Sequence, residues 1–248
     1  MPWSGTSAGT GSCRARFTID LIKPAKQVPT TVETRLVREG RRVRYTECVV
    51  LQDDSLVARA SMVQYQQSEA PSGQDWTAGA EFHGAAGVHT DDLYVGSDGA
   101  GWGVLGVEHQ NASRTRAYYR GLDIVAGVPA TPFVRAAVVA EAATNMVLNL
   151  GTNGIGYING DLTVTLSRLP DSEFLGVQSD SRLAAAGIAT GTATLYDEAG
   201  PFGTAVITSL ADPSAQINFG GAPRTAGAGA DLFSATAQSS RSAANVAA

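Results

Sequence analysis

The sequence runs through the same series of features twice. Phe17-Thr18-Ile19-Asp20-Leu21-Ile22-Lys23-Pro24 answers to Leu162-Thr163-Val164-Thr165-Leu166-Ser167-Arg168-Leu169-Pro170, and each run ends in a basic residue and a proline. Both alternate apolar and polar residues, the period that gives a strand one buried and one open face. Arg38-Glu39-Gly40-Arg41 then answers to Ala185-Ala186-Gly187-Ile188, and Val49–Asp54 answers to Ala193–Glu198, an apolar strand running into an acidic turn. A last strand, Val57–Tyr65 or Gly203–Leu210, closes each copy. A repeat of this length confines the chain to folds in which one supersecondary unit, here an antiparallel meander, is built twice.

The second copy is preceded by a segment that the first lacks. Thr131 can cap a helix that Pro132 opens, since proline at the first helical position gives up only a donor that is orphaned anyway. Phe133–Leu150 contains no Gly or Pro, and Asn149, Gly151 and Gly154 stand where the helix should stop. Ala136, Ala137, Ala140 and Ala143 keep one side of it small, so that a sheet can curl closely around it. Only Met1–Arg14 stands before the first copy, too short and too rich in glycine to form such a helix, so the first half reads as truncated. Strands are expected at Arg16–Ile22, Thr30–Arg38, Arg42–Leu51, Leu56–Tyr65, Arg116–Leu122, Phe174–Asp180, Gly187–Tyr196 and Thr204–Leu210. The expected organisation is a disordered N-terminus over 1–15, a partial first unit with a linker over 16–90, a complete second unit over 91–219 and a disordered tail over 220–248.

Composition narrows the functional classes. A chain of 248 residues with 44% hydrophobic content can bury a real core. A net charge of −5 argues against nucleic acid or an anionic membrane as partner. Of 18 basic residues only Lys23 and Lys26 are lysines, a bias that fits GC-rich codon usage. No apolar run is long enough to span a membrane, and Met1–Arg16 lacks the apolar centre of a signal peptide, so a cytoplasmic location is expected. Cys13 and Cys48 match no metal or redox spacing, and Cys48 reads as a small core residue. His83, His89 and His109 have no ligand spacing, so no metal or cofactor is expected. Gly5–Gly9 and Gly101–Gly106 match nucleophile-elbow and dinucleotide patterns but lack the strand–turn–helix context that either needs.

A long helix followed by an antiparallel meander, with the meander occurring twice, is the layout of a double hotdog: an α+β fold whose antiparallel sheets wrap a long central helix, here with the first hotdog N-terminally truncated. Gly156-Tyr157-Ile158-Asn159-Gly160-Asp161 leading into Leu162–Pro170, with Leu195-Tyr196-Asp197-Glu198-Ala199-Gly200-Pro201 and Thr204–Ser209, resembles the acyl-CoA thioesterase II-like family. Phe17–Pro24 with Val37-Arg38-Glu39-Gly40-Arg41-Arg42 is similar to that family's N-terminal hotdog. The likeness covers Arg16–Tyr65 and Tyr118–Phe219.

The resemblance implies hydrolysis of acyl-CoA thioesters by a water that an Asp on the central helix, a Thr on the next strand and a Gln on the last strand hold and polarise. Those positions fall on Asn145, near Asn159, and on Thr208 within one residue. None carries the family's usual residue. An amide at Asn145 can orient water but cannot take its proton. Asp161 is the nearest carboxylate in sequence, although strand parity sets it opposite Leu162, and Glu141 lies one helical turn before Asn145. Amides at the helix start, around Phe133–Arg135, are the candidate oxyanion donors. Tyr119 and Tyr157, with Tyr118, are candidates to line the acyl or pantetheine channel. Acyl-CoA is the expected substrate, and a homo-oligomer is expected because a half-wrapped sheet exposes apolar surface. The alternative is a non-catalytic acyl or acyl-CoA binder, which the amide at Asn145 favours. A hotdog dehydratase ranks third, since it would want a histidine and none falls in Thr131–Pro170.

Overall fold

The structure, a computed structural model, describes residues 11–77, 82–85, 93–121, 123–125 and 127–220. In chain order the elements are β1 (Ser12–Leu21), β2 (Thr31–Glu39), β3 (Val43–Gln52), β4 (Ser55–Gln66), β5 (Tyr94–Ser97), β6 (Ala100–Val104), β7 (Thr115–Tyr119), α1 (Pro132–Asn149), β8 (Leu150–Gly151), β9 (Gly154–Ile155), β10 (Tyr157–Asn159), β11 (Asp161–Leu166), β12 (Leu175–Ala185), β13 (Ile188–Asp197) and β14 (Gly200–Ala211). Eleven strands form one path, β2-β3-β4-β1-β11-β14-β13-β12-β7-β5-β6; β10 adds to β14, and β8 and β9 pair apart. Every pairing in the sheet is antiparallel.

The repeat is built in strict register. The bounds of β3 and β13, and of β4 and β14, are shifted by the same 145 residues that separate Thr18 from Thr163. The two halves join edge to edge where β1 pairs β11, with Phe17 opposite Val164, Thr18 opposite Thr163 and Ile19 opposite Leu162. Phe17 and Leu162 are equivalent in the repeat, as are Ile19 and Val164, so exchanging equivalents carries this ladder onto itself. A local two-fold therefore passes through Thr18 and Thr163, whose hydroxyls lie 3.1 Å apart. Matching ties recur beside each turn. Asp197 accepts from the Asp171 backbone N–H at 2.8 Å, and Gln52, at the equivalent position, accepts from Lys26 at 2.9 Å.

The second half grips α1. Thr131 accepts from the Val134 N–H and Pro132 opens the helix. Ala136, Ala140 and Ala143 are at most 1% exposed and lie among Leu162, Val164, Val177, Ala193, Leu195, Ala205 and Ile207. Gly191 lets the backbones approach: a Cβ there would sit 2.8 Å from a Leu148 methyl and 2.7 Å from the Ser181 carbonyl oxygen. β12 runs on to Ala185, beyond its predicted end at Asp180, because a two-residue turn with positive φ at Ala186 (49°) and Gly187 (79°) keeps it paired with β13.

The first half carries no helix among the described residues. Its ladders put Phe17, Met62, Thr46 and Leu36 in one row, Ile19, Ala60, Cys48 and Thr34 in the next, and Leu21, Ala58, Val50 and Val32 in a third. This face continues the helix-bearing face of β11; its next row brings in charge, with Gln64, Arg44 and Glu39 paired across β4, β3 and β2 and Arg14 lying over the Phe133 ring of α1. The opposite face carries the ion pairs Asp20–Arg59 and Glu47–Arg35, each at 2.6 Å. Cys48 is accordingly half-buried, on a face that no helix covers among the described residues, rather than in the core.

Two further expectations are corrected. β1 begins at Ser12, so 12–15 belong to a strand and not to a disordered terminus; residues 1–10 and 221–248 of the predicted terminal segments lie outside the described residues. The predicted linker is in part a strap, since the Phe82 ring stacks on Tyr196 at 4.7 Å and meets Trp102 edge-on at 6.1 Å.

Candidate functional site

The last two turns of α1 bring polar side chains against the inner face of the sheet. Asn145 and Asn149 are one turn apart and so share a side of the helix. The Asn149 amide donates to Asn145 Oδ1 at 2.9 Å and to Ser209 Oγ at 3.0 Å, and its own Oδ1 accepts from Arg182 Nε at 3.2 Å. The Arg182 guanidinium lies 4.9 Å over the Tyr157 ring. Asn159 is the cross-strand neighbour of Ser209. Asn149 and Ser209 are buried, whereas Asn145 is only partly so. The acceptor of Asn145 is thus engaged, while its N–H groups have no partner among the described residues.

Glu141 lies one turn before Asn145, opposite the alanine row. Its side chain is exposed, and the groups packed around it push its carboxyl above the usual range by desolvation. No ion pair or hydrogen bond holds it among the described residues. An acceptor of raised pKa and an amide donor therefore share the stripe of α1 that the sheet leaves open. A cleft of about 560 Å³ opens at the C-terminal end of α1, lined by Asn149, Tyr157, Ser179, Arg182 and Arg114. Its size suits a small-molecule ligand.

Of the residues singled out from sequence, Tyr157 lines the cleft; Asn145, bonded to Asn149, and Asn159, opposite Ser209, lie next to it without lining it. Thr208 and Asp161 do neither. They bond to each other, Thr208 N–H donating to Asp161 at 2.9 Å, on the outer face. The reason is strand alternation: Ala205, Ile207 and Ser209 of β14 point inward, which turns Thr208 away, and Leu162 does the same to Asp161. Tyr119 is 1% exposed in the core and does not line the cleft. Two of the three amides at the start of α1 are taken as well, Val134 N by Thr131 Oγ1 and Arg135 N by Thr131 O. They also stand about 15 Å from Asn145 at 1.5 Å per residue. Sequence reasoning passed over Asn149, Ser209 and Arg182. Asn149 could have been found as the next turn after Asn145, and Ser209 from its parity with Ile207.

The family model described as the acyl-CoA thioesterase C-terminal domain matches residues 64–210. No curated protein matches the chain. Among solved structures, a tesB protein from Mycobacterium avium subsp. paratuberculosis superposes with a TM-score of 0.60 at 16% identity, over 84% of this chain and 81% of its own. An acyl-CoA thioesterase II from Mycobacterium marinum gives 0.58 at 14% identity, over 81% and 80%. A conserved protein of unknown function with a hot dog fold from Alicyclobacillus acidocaldarius gives 0.56 at 16% identity, over 80% and 78%. At these identities the likeness establishes an α+β hotdog fold.

Proposed function

The chain belongs to the acyl-CoA thioesterase family through its C-terminal domain match, and from that premise we propose that it hydrolyses acyl-CoA thioesters to free acid and CoA. Water attacks the thioester carbonyl. Glu141 takes the proton from the water, and the free N–H groups of Asn145 orient the water or the carbonyl oxygen. Asn149, itself tied to Ser209 and Arg182, holds Asn145 in place, and Asn159 closes the polar group beside Ser209. Tyr157 and the cleft take the pantetheine side of the substrate, and the apolar face of β1 and β4 accepts the acyl chain. The observation that carries this reading is the placement of Glu141 one helical turn before Asn145 on the open stripe of α1. It restores a base that the amide alone cannot supply.

The sheet belongs to the same proposal as two fused hotdogs, roughly 16–90 and 91–219, the first without its helix. A cytoplasmic place in lipid metabolism and a homo-oligomeric state go with it. The test is steady-state release of free CoA from short-, medium- and long-chain acyl-CoAs. Turnover that Asn145→Ala sharply lowers is expected, and folded protein inert toward every chain length would overturn the proposal. The amide at Asn145 also favours a second reading, an acyl-CoA binder without turnover. That reading predicts calorimetric binding of acyl-CoA with no CoA released.

A further inference from the structure

Arg182 stands in the wall of the cleft at the C-terminal end of α1 with most of its donors unused. Its cross-strand neighbour on β13 is Gly191, so no side chain crowds it from that strand. Its Nε donates to Asn149 Oδ1 at 3.2 Å, and its guanidinium carbon lies 4.9 Å from the centre of the Tyr157 ring. These two contacts hold a flat, permanently charged fork in one orientation. Among the described residues its two Nη groups have no hydrogen-bond partner, and no carboxylate pairs with it. Arg114, also in the cleft wall, differs: it pairs with Asp98 at 3.4 Å and acts on Asp180. A fixed fork with free donors over an open cleft suits an acceptor that arrives from outside. We propose that Arg182 binds the amide carbonyl of the pantetheine arm nearest the sulfur, and so selects thioesters whose thiol carries that amide. The inference rests on the reading that the cleft takes the thiol side of an acyl thioester.

Distance decides which acceptor it is. The Asn149 amide donates to Asn145 Oδ1 at 2.9 Å and accepts from Arg182 at 3.2 Å. One planar amide spans both bonds, so Arg182 Nε stands no more than about 8 Å from Asn145 Oδ1, where the thioester carbonyl is held. Across two methylenes and a nitrogen, the first amide oxygen of the arm lies about 5 Å from the sulfur, within that reach. The phosphate at the far end of the same arm lies about 15 Å from the sulfur when extended, beyond it. Direction agrees with distance. Along the sheet the order is β1-β11-β14-β13-β12, so Arg182 and the β1 face that takes the acyl chain lie on opposite sides of β14. The acyl chain leaves Asn145 one way and the thiol arm the other. Charge agrees too. Asp98 and Asp180 offset Arg114, which leaves the cleft wall better suited to a neutral carbonyl than to a phosphate dianion.

The test measures calorimetric affinity for ketone analogues of one acyl chain, in which a methylene separates carbonyl from sulfur and blocks hydrolysis. They are built on ethanethiol, N-acetylcysteamine, pantetheine and CoA. With the unaltered chain, affinity should rise at least about tenfold from the ethanethiol to the N-acetylcysteamine compound, the span of one hydrogen bond from a charged donor. Arg182→Met should erase that step and leave the ethanethiol compound bound as before. Arg182→Lys, a charge without the fork, should keep part of the step. A step that survives Arg182→Met would overturn the proposal. So would a loss that the ethanethiol compound shares in full, the mark of a role confined to holding Asn149. A loss confined to the CoA compound would assign Arg182 to a phosphate and likewise overturn it. The expected pattern with no CoA released from any acyl-CoA would support this site and sink the hydrolase. No binding of any analogue would sink both.

Discussion

Arg168→Met tests how the second half is pinned at its acidic turn. The Asp197 side chain has no exposed surface, whereas that of Arg168 is 33% exposed. Arg168 donates to both Asp197 oxygens at 2.6 Å, and the backbone N–H groups of Asp171 and Ala199 donate at 2.8 and 3.0 Å. Burial works against the ionised form, but Arg168 and those two amides outweigh it and hold the Asp197 carboxyl below its ordinary range. Removing one partner of a buried pair costs about 3–5 kcal/mol. Solvent reaches this arginine and two backbone donors remain, so about 2–3 kcal/mol is expected. For a chain of this size that lowers Tm by roughly 5–10 °C at neutral pH. Because the folded pKa is depressed, the stabilisation is present above the unfolded carboxylate pKa and is lost as pH falls through the folded value. The deficit of the variant should therefore narrow in acid, where its carboxyl protonates. Asp197→Asn in the Arg168→Met background should recover more than half of the loss, since Gln52 makes the equivalent backbone tie in the first half as a neutral amide. Melts followed by circular dichroism at neutral and acidic pH decide the matter. A neutral-pH shift below about 2 °C, against the ~2–4 °C per kcal/mol expected, or a deficit that does not narrow in acid, would refute the reasoning.

Other outcomes follow from single contacts. Gly191→Ala should cost about 1–3 kcal/mol in urea unfolding, because its Cβ meets Leu148 and the Ser181 carbonyl below 3 Å. Ser209→Ala should lower CoA release by freeing Asn149, whereas Thr208→Ala, on the outer face, should leave turnover near the unaltered level. Glu141→Gln should raise stability at neutral pH while lowering activity. A carboxyl whose folded pKa is raised destabilises the fold as pH climbs past its unfolded value, and the amide removes that penalty. Matched melts would show it, and a less stable Glu141→Gln would count against a desolvated carboxyl.

The strands were legible in the sequence because period-two alternation survives wherever one face is buried. β3, predicted at Arg42–Leu51, forms at Val43–Gln52. The helix was legible from its cap and its stop. The site was less so. A one-residue ambiguity in β14 exchanges Ser209 for Thr208 and with it the inner for the outer face, and no sequence pattern resolves that without the pairing partner. Asn149 was hidden for another reason: it reads as a helix-ending residue, and its bonds to Ser209 and Arg182 reach 60 and 33 residues along the chain.

The most direct measurement is the pH dependence of kcat/KM for CoA release by the unaltered chain and by Glu141→Gln. The account predicts a rate that rises with pH through one ionisation above the ordinary glutamate range, and a flat profile about 100-fold lower or more in the variant, the span of a lost general base. Equal profiles for the two proteins would contradict it.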